Sequence, residues 1–213
     1  DYAYRHPLFT PNMWIASDST ISKFLSDVTD DQITGFLNDW NKGRDHKSRI
    51  YLSYDSTNKN CQAGDVDFVE FGKAKVDIGS PIFNVGLAMD QNNRIPLFYE
   101  LYPGSINDVS QFRFMVDKAI SYGYKNIGFV IDRGYFSKAN IQYMDEHKFN
   151  FVMMVKGCKP LVCELIDEHR GTFESRRDCS IPRQHLNGTT IKHKLFPEDE
   201  KERYLHLLSL IHI

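Results

Sequence analysis

The chain has no run of 18 or more apolar residues, so no segment reads as a membrane-crossing helix. Its opening, Asp1 to His6, lacks both the basic start and the apolar stretch of a secretory signal. An initiator methionine is also missing, and a piece of a longer protein is expected from that. There is no excess of one charge: 26 Lys and Arg stand against 28 Asp and Glu, a net charge of −2. Bulk electrostatics therefore give no argument for a nucleic-acid partner, although clustered carboxylates offset basic residues elsewhere in such a sum. No Cys-x-x-Cys pair occurs. Cys158, Cys163 and Cys179, even with His185, are too irregularly spaced for a zinc site. With Cys61 they suggest a reducing, cytoplasmic setting. No Gly-rich phosphate loop is present, which argues against a small-molecule phosphohydrolase.

What is present fits a soluble globular protein of one domain, or one domain with an appendage: 213 residues, 41% hydrophobic and 25% charged. Residues 1–48 form an N-terminal helical segment in this reading. Ser19 or Thr20 caps a helix with Ile21, Phe24, Leu25 and Val28 on one face, and Thr29 caps a second with Ile33, Phe36, Leu37 and Trp40. These apolar residues are expected in the core. A strand follows from Ile50 to about Ser56, then a long polar connection in which 66–71 reads as a short edge strand. A hairpin, 82–89 and 95–102, turns at Asp90 to Arg94. A helix runs to about Tyr122 with Asp108 as its cap, and Gly123 stops it. Strand 127–131, a helix capped by Ser137, strand 151–155 and a helix over 160–169 come next. Two more strand patterns, 189–196 and 203–210, lie towards the end. A meander followed by helical crossovers makes an α/β protein with a mixed sheet.

Two aspartates stand out in this order. Asp55 closes the run Ile50-Tyr51-Leu52-Ser53-Tyr54, and Asp132 closes Ile127-Gly128-Phe129-Val130-Ile131. Either one alone is ordinary chemistry where a strand meets a turn. A pair on neighbouring strands would offer hard oxygen ligands to divalent cations. Two such cations can run an in-line phosphoryl displacement.

The motifs Tyr54-Asp55-Ser56-Thr57, Pro96-Leu97-Phe98-Tyr99-Glu100, Pro103-Gly104-Ser105 with Asp108, and Ile131-Asp132-Arg133-Gly134-Tyr135-Phe136-Ser137 resemble those of DDE transposase catalytic domains. The likeness is to the IS4 group, in its IS1634-like branch, and covers about Ile50 to Tyr204. It implies a ribonuclease-H-like fold in which the strands ending at Asp55 and Asp132 are neighbours, although 77 positions separate these residues. It implies a ribonuclease-H-like core over 49–170 and the start of a β-rich insertion over 171–213. Asp55 and Asp132 would be the first two catalytic acids, holding two Mg²⁺ or Mn²⁺ ions. The activity implied is DNA cleavage at transposon ends followed by strand transfer, with a homodimer as the working form. DNA would be the partner, with no small-molecule cofactor and no membrane.

Lys59, Lys73, Lys75, Lys156 and Lys159 are candidates for contact with the DNA backbone. Arg133 either contacts a phosphate or pairs with a carboxylate in its own turn. The third acid is expected beyond Ile213. Glu164 and Glu168, 32 and 36 positions after Asp132, are the compact alternative, but with Asp167 they also make the polar stripe of any surface helix. Without the third acid the fragment is expected to be inactive. The rival reading is a non-catalytic transposase remnant that binds DNA or another transposase chain.

Overall fold

The computed structural model describes residues 17–75 and 77–210, with the Leu210 side chain left out. It divides into two compact units at Met154/Val155. The first holds helices α1 (Asp18–Ser26) and α2 (Asp30–Lys42), strands β1 (Ile50–Asn60), β2 (Ile82–Asp90) and β3 (Ile95–Pro103), helix α3 (Asp108–Ser121), β4 (Ile127–Ile131), α4 (Lys138–Glu146) and β5 (Asn150–Met153). The second holds α5 (Lys159–His169) and strands β6 (Ser180–Ile181), β7 (Leu186–Lys194) and β8 (Glu202–Leu210). No described helix is long and apolar enough to cross a membrane.

The first unit's five strands run in the order β3-β2-β1-β4-β5. β1 pairs antiparallel with β2 and parallel with β4, and β4 pairs parallel with β5. This is the mixed, ribonuclease-H-like sheet that the motif order implies. A three-stranded antiparallel sheet, β6-β7-β8, follows in the second unit.

Alternation along β1 sets the sheet's two faces. Ile50, Leu52, Tyr54 and Ser56 are buried, whereas Tyr51, Asp55, Thr57 and Lys59 are exposed. The buried face packs on α3, whose Phe112, Met115, Val116 and Ala119 join Leu52, Tyr54, Phe129 and Ile131 in one core. The spacing of those four α3 residues puts them on one side of the helix. Asn41 ties α2 into this core. Its amide donates to the Leu37 and Leu97 carbonyls at 2.8 and 2.9 Å, and it accepts from the Tyr124 hydroxyl at 2.8 Å.

Several boundaries differ from expectation. Ser17, not Ser19 or Thr20, caps α1, accepting from the Thr20 amide at 3.2 Å. Thr29 does cap α2, in a reciprocal box with Gln32. Asn107, not Asp108, caps α3, accepting from the Ser110 amide at 2.9 Å. The edge strand expected over 66–71 reduces to one bridge, Glu70 with Ile82. The core expectation fails for α1, which buries none of its residues. Phe24, Leu25 and Phe36 are each more than 60% exposed, because nothing among the described residues covers that face.

Candidate functional site

The parallel register of β1 and β4 positions the two aspartates. Tyr54 lies opposite Ile131, and both side chains are buried. Asp55 and Asp132 are the next residues along each chain, and both are exposed. They therefore stand at one level on neighbouring strands, which lie about 5 Å apart. β1 does not end near Ser56 as expected but runs on to Asn60, held by its pairing with β2, so Asp55 lies within its strand and only Asp132 stands at a strand end. The β-branched and aromatic runs before them fix this geometry, because a one-residue slip would turn Leu52, Tyr54, Phe129 and Ile131 out of the core. The Asp55 carboxylate accepts from the Ser56 amide at 2.8 Å. After Asp132 the chain makes a single 3₁₀ turn, Arg133–Tyr135, which the Tyr135 amide closes on the Asp132 carbonyl at 3.2 Å.

A polar layer lies behind this pair, on the helix-covered side of the sheet. The Ser56 side chain is buried and donates to Asp108 Oδ1 at 2.7 Å. The Tyr102 hydroxyl donates to the same oxygen at 2.9 Å. Asp108 Oδ2 faces Gly134, where an added Cβ would stand 3.7 Å from it. Glu100 accepts from Gln111 at 2.8 Å and from the Tyr54 hydroxyl at 3.3 Å, and Lys118 lies 3.7 Å away. Burial, with the Glu100 carboxylate adding to it, pushes the Tyr54 phenol far above its usual range. Tyr102 is raised by burial and by its bond to Asp108. Tyr135 is raised chiefly by burial, an effect that the neighbouring Ser56 hydroxyl partly offsets. These phenols stay neutral donors at any physiological pH.

The residues singled out for DNA contact are exposed, with different surroundings. Lys75 Nζ donates to the Ser56 carbonyl at 2.7 Å, and its amide donates to Asn58 at 3.0 Å. The 73–75 loop is thereby tied along β1, one residue from Asp55. Lys59 continues the exposed face of β1, and Lys73 belongs to the same loop. Arg133 is exposed, and no carboxylate among the described residues lies in ion-pair range of it. Lys156, Lys159, Glu164, Asp167 and Glu168 belong to the second unit and are exposed. Glu168 lies 3.9 Å from His169.

Sequence reading missed Ser56, Tyr102 and the true partners of Asp108. A small polar residue at an inward position of an apolar strand was the available signal, since a buried hydroxyl needs a partner.

Asp55 and Asp132 offer the hard oxygen donors that Mg²⁺ or Mn²⁺ takes. Among the described residues no group of three or more His, Cys, Asp or Glu gathers into a metal site. The donor chemistry of the pair fits such ions, with other ligands left to complete their shells.

Several solved structures are similar to this chain at low identity. A piggyBac transposase synaptic complex with hairpin DNA is 13% identical, with a TM-score of 0.41, over 75% of this chain and 32% of that one. The Drosophila P element transposase strand transfer complex is 15% identical, at 0.38, over 79% and 40%. The Mos1 transposase paired-end complex with left transposon end is 12% identical, at 0.33, over 67% and 50%. The chain thus spans a third to a half of the length of these structures. No curated protein matches it. The family described as Transposase DDE domain matches residues 46–204. That stretch includes both aspartates, the whole five-stranded sheet and most of the second one, and the chain belongs to this transposase family.

Proposed function

We propose that Asp55 and Asp132 are the first two acids of a metal-dependent site for cutting and joining DNA. The carrying observation is their shared level and shared exposure on parallel neighbours β1 and β4. Two Mg²⁺ or Mn²⁺ ions, when bound, supply activation of the attacking hydroxyl and stabilisation of the leaving 3′ oxygen. The chain's own part is to hold two carboxylates on rigid, neighbouring strands, one within β1 and one just past β4, so that little reorganisation is needed on binding. Arg133, Lys59, Lys73 and Lys75 supply positive charge beside the pair and neutralise phosphates of the bound strand. Lys156 and Lys159 are assigned the same role from their sequence position. The reaction class is hydrolytic nicking at transposon ends followed by transfer of the 3′ end into target DNA. The proposal extends to a homodimer acting in the cytoplasm.

The second reading, a remnant that binds DNA without cutting it, is favoured by one observation. No third carboxylate joins the pair among the described residues. Incubation of a complete version of the protein with supercoiled plasmid and Mn²⁺ separates the two. Nicking that Asp132→Asn abolishes supports the enzyme. DNA retention without nicking at any Mn²⁺ concentration supports the remnant. Nicking that survives Asp132→Asn contradicts the site assignment.

A further inference from the structure

Asp108 does not cap its helix, and the structure gives it another task. It sits at the start of α3, and the cap bond is made by Asn107. Its Oδ1 accepts from Ser56 on β1 and from Tyr102 on β3. Its Oδ2 faces Gly134 in the turn that follows Asp132. One carboxylate thus bonds the residue after Asp55 and lies beside the turn after Asp132, near enough that a side-chain carbon on Gly134 would meet it at 3.7 Å. Ser56 is held on three sides: its hydroxyl by Asp108, its carbonyl by Lys75 at 2.7 Å, and its amide by the Asp55 carboxylate at 2.8 Å.

Asp108 is not positioned as a ligand itself. Ser56 is an inward residue of β1, flanked by outward Asp55 and Thr57. An oxygen bonded to the Ser56 hydroxyl belongs to the helix-covered side of the sheet, opposite the face that carries Asp55. Two hydroxyl donors already occupy Oδ1. A carboxylate that accepts from buried hydroxyls orients what those hydroxyls are attached to, as outer-shell partners do in metal sites.

We infer that Asp108 is a positioning residue that holds the Asp55 stretch of β1 beside the turn after β4, and so sets the spacing of the Asp55 and Asp132 carboxylates for divalent cations. This rests on the reading of that pair as the metal-binding acids. Removing Asp108 leaves the Ser56 and Tyr102 hydroxyls without their acceptor and opens space between Ser56 and Gly134. The ligands remain, but their geometry loosens. Outer-shell losses of this kind typically cost at least about 10-fold in metal affinity.

The test is Mn²⁺ affinity of the whole chain, read from the electron paramagnetic resonance of free Mn²⁺. It is measured at a temperature where circular dichroism shows every variant folded. Asp108→Ala and Ser56→Ala should each weaken Mn²⁺ binding by about 10-fold. The double variant should be little worse than either single, because both break one link. Asp108→Asn keeps an acceptor oxygen for Ser56 and should retain affinity within about threefold of the parent, far above the residual binding of Asp132→Asn. Unchanged affinity in folded Asp108→Ala, while Asp132→Asn abolishes binding, overturns the positioning role and leaves the pair intact. A loss in Asp108→Asn equal to that in Asp132→Asn makes Asp108 a ligand, and also overturns it. Binding that ignores Asp132→Asn overturns the parent reading, and this inference with it.

Discussion

Gly86 is glycine because Tyr54 fills the space that its side chain would need. A Cβ there would stand 1.9 Å from the Tyr54 hydroxyl and 2.4 Å from its ring. Tyr54 cannot move aside, since it packs against Tyr135 at 5.4 Å and bonds Glu100. Gly86→Ala should therefore cost about 1–3 kcal/mol, as overpacking does in a full core. Urea unfolding checks this, and an unchanged midpoint would mean that the strands yield easily. Asn41 makes the opposite case, a buried amide with all its partners. Asn41→Ala leaves the Leu97 carbonyl and the Tyr124 hydroxyl wanting, and should cost about 2 kcal/mol or more in the same experiment. At this scale the sequence was legible where local pattern carries the signal. Asp55 and Asp132 could be picked out because each ends a short apolar run. Ser56 and Asp108 could not be paired, because 52 positions separate them and Pro-Gly-Ser-x-x-Asp reads as a loop entering a helix. Gly104 in that loop has a similar hidden reason. A Cβ there would strike the Ile82 and Glu70 carbonyls at 2.3 and 2.5 Å, so glycine serves close backbone approach.

Among the elements, α3 does most to position the site, because it backs the sheet and carries Asp108 at its start. Its cap is Asn107, whose side chain takes the Ser110 amide. Asn107→Ala should cost about 1 kcal/mol of stability, measured by thermal or urea unfolding. A loss well above that would mean that the cap also holds Asp108 in place. Helix and strand existence followed from periodicity, and β4 came out at its expected bounds, Ile127–Ile131. Cap identity was harder to read. Ser17, Ser19 and Thr20 crowd the start of α1, and the chain's direction of entry decides which hydroxyl meets a free amide. The 66–71 segment has strand-like composition, yet it pairs only at Glu70, where β2 begins. Strand propensity reports fit to a pleated, half-buried surface, and only that one position meets a neighbour here. For α1 the apolar stripe is real, but the packing partner that would make it core is not among the described residues.

For the whole molecule, topology turns two distant aspartates into neighbours. The order β3-β2-β1-β4-β5 puts β4 beside β1 through a crossover that contains α3. That order is the one the resemblance to DDE transposase domains implies for a meander followed by helical crossovers; the succession of elements alone gave only a mixed α/β sheet. The set of buried phenols was not legible, since tyrosines at strand ends read equally well as surface residues. It has a consequence for stability at high pH. Burial pushes Tyr124 up to about 12, from 10.0, and raises Tyr54, Tyr102 and Tyr135 as well. Between these limits the folded chain holds protons that the unfolded chain has released. Stability is then fully present below pH 10 and falls as the pH rises through about 12. Absorbance near 295 nm should show these phenols ionising together with unfolding, rather than in a smooth titration of the native protein. A gradual titration with the fold intact would mean that they are accessible to solvent. The central claim, however, concerns Asp55 and Asp132. It is tested most directly by anomalous diffraction from crystals soaked in Mn²⁺. The account predicts metal density between the two carboxylates, lost in Asp132→Asn; density elsewhere, or density that survives this substitution, would contradict it.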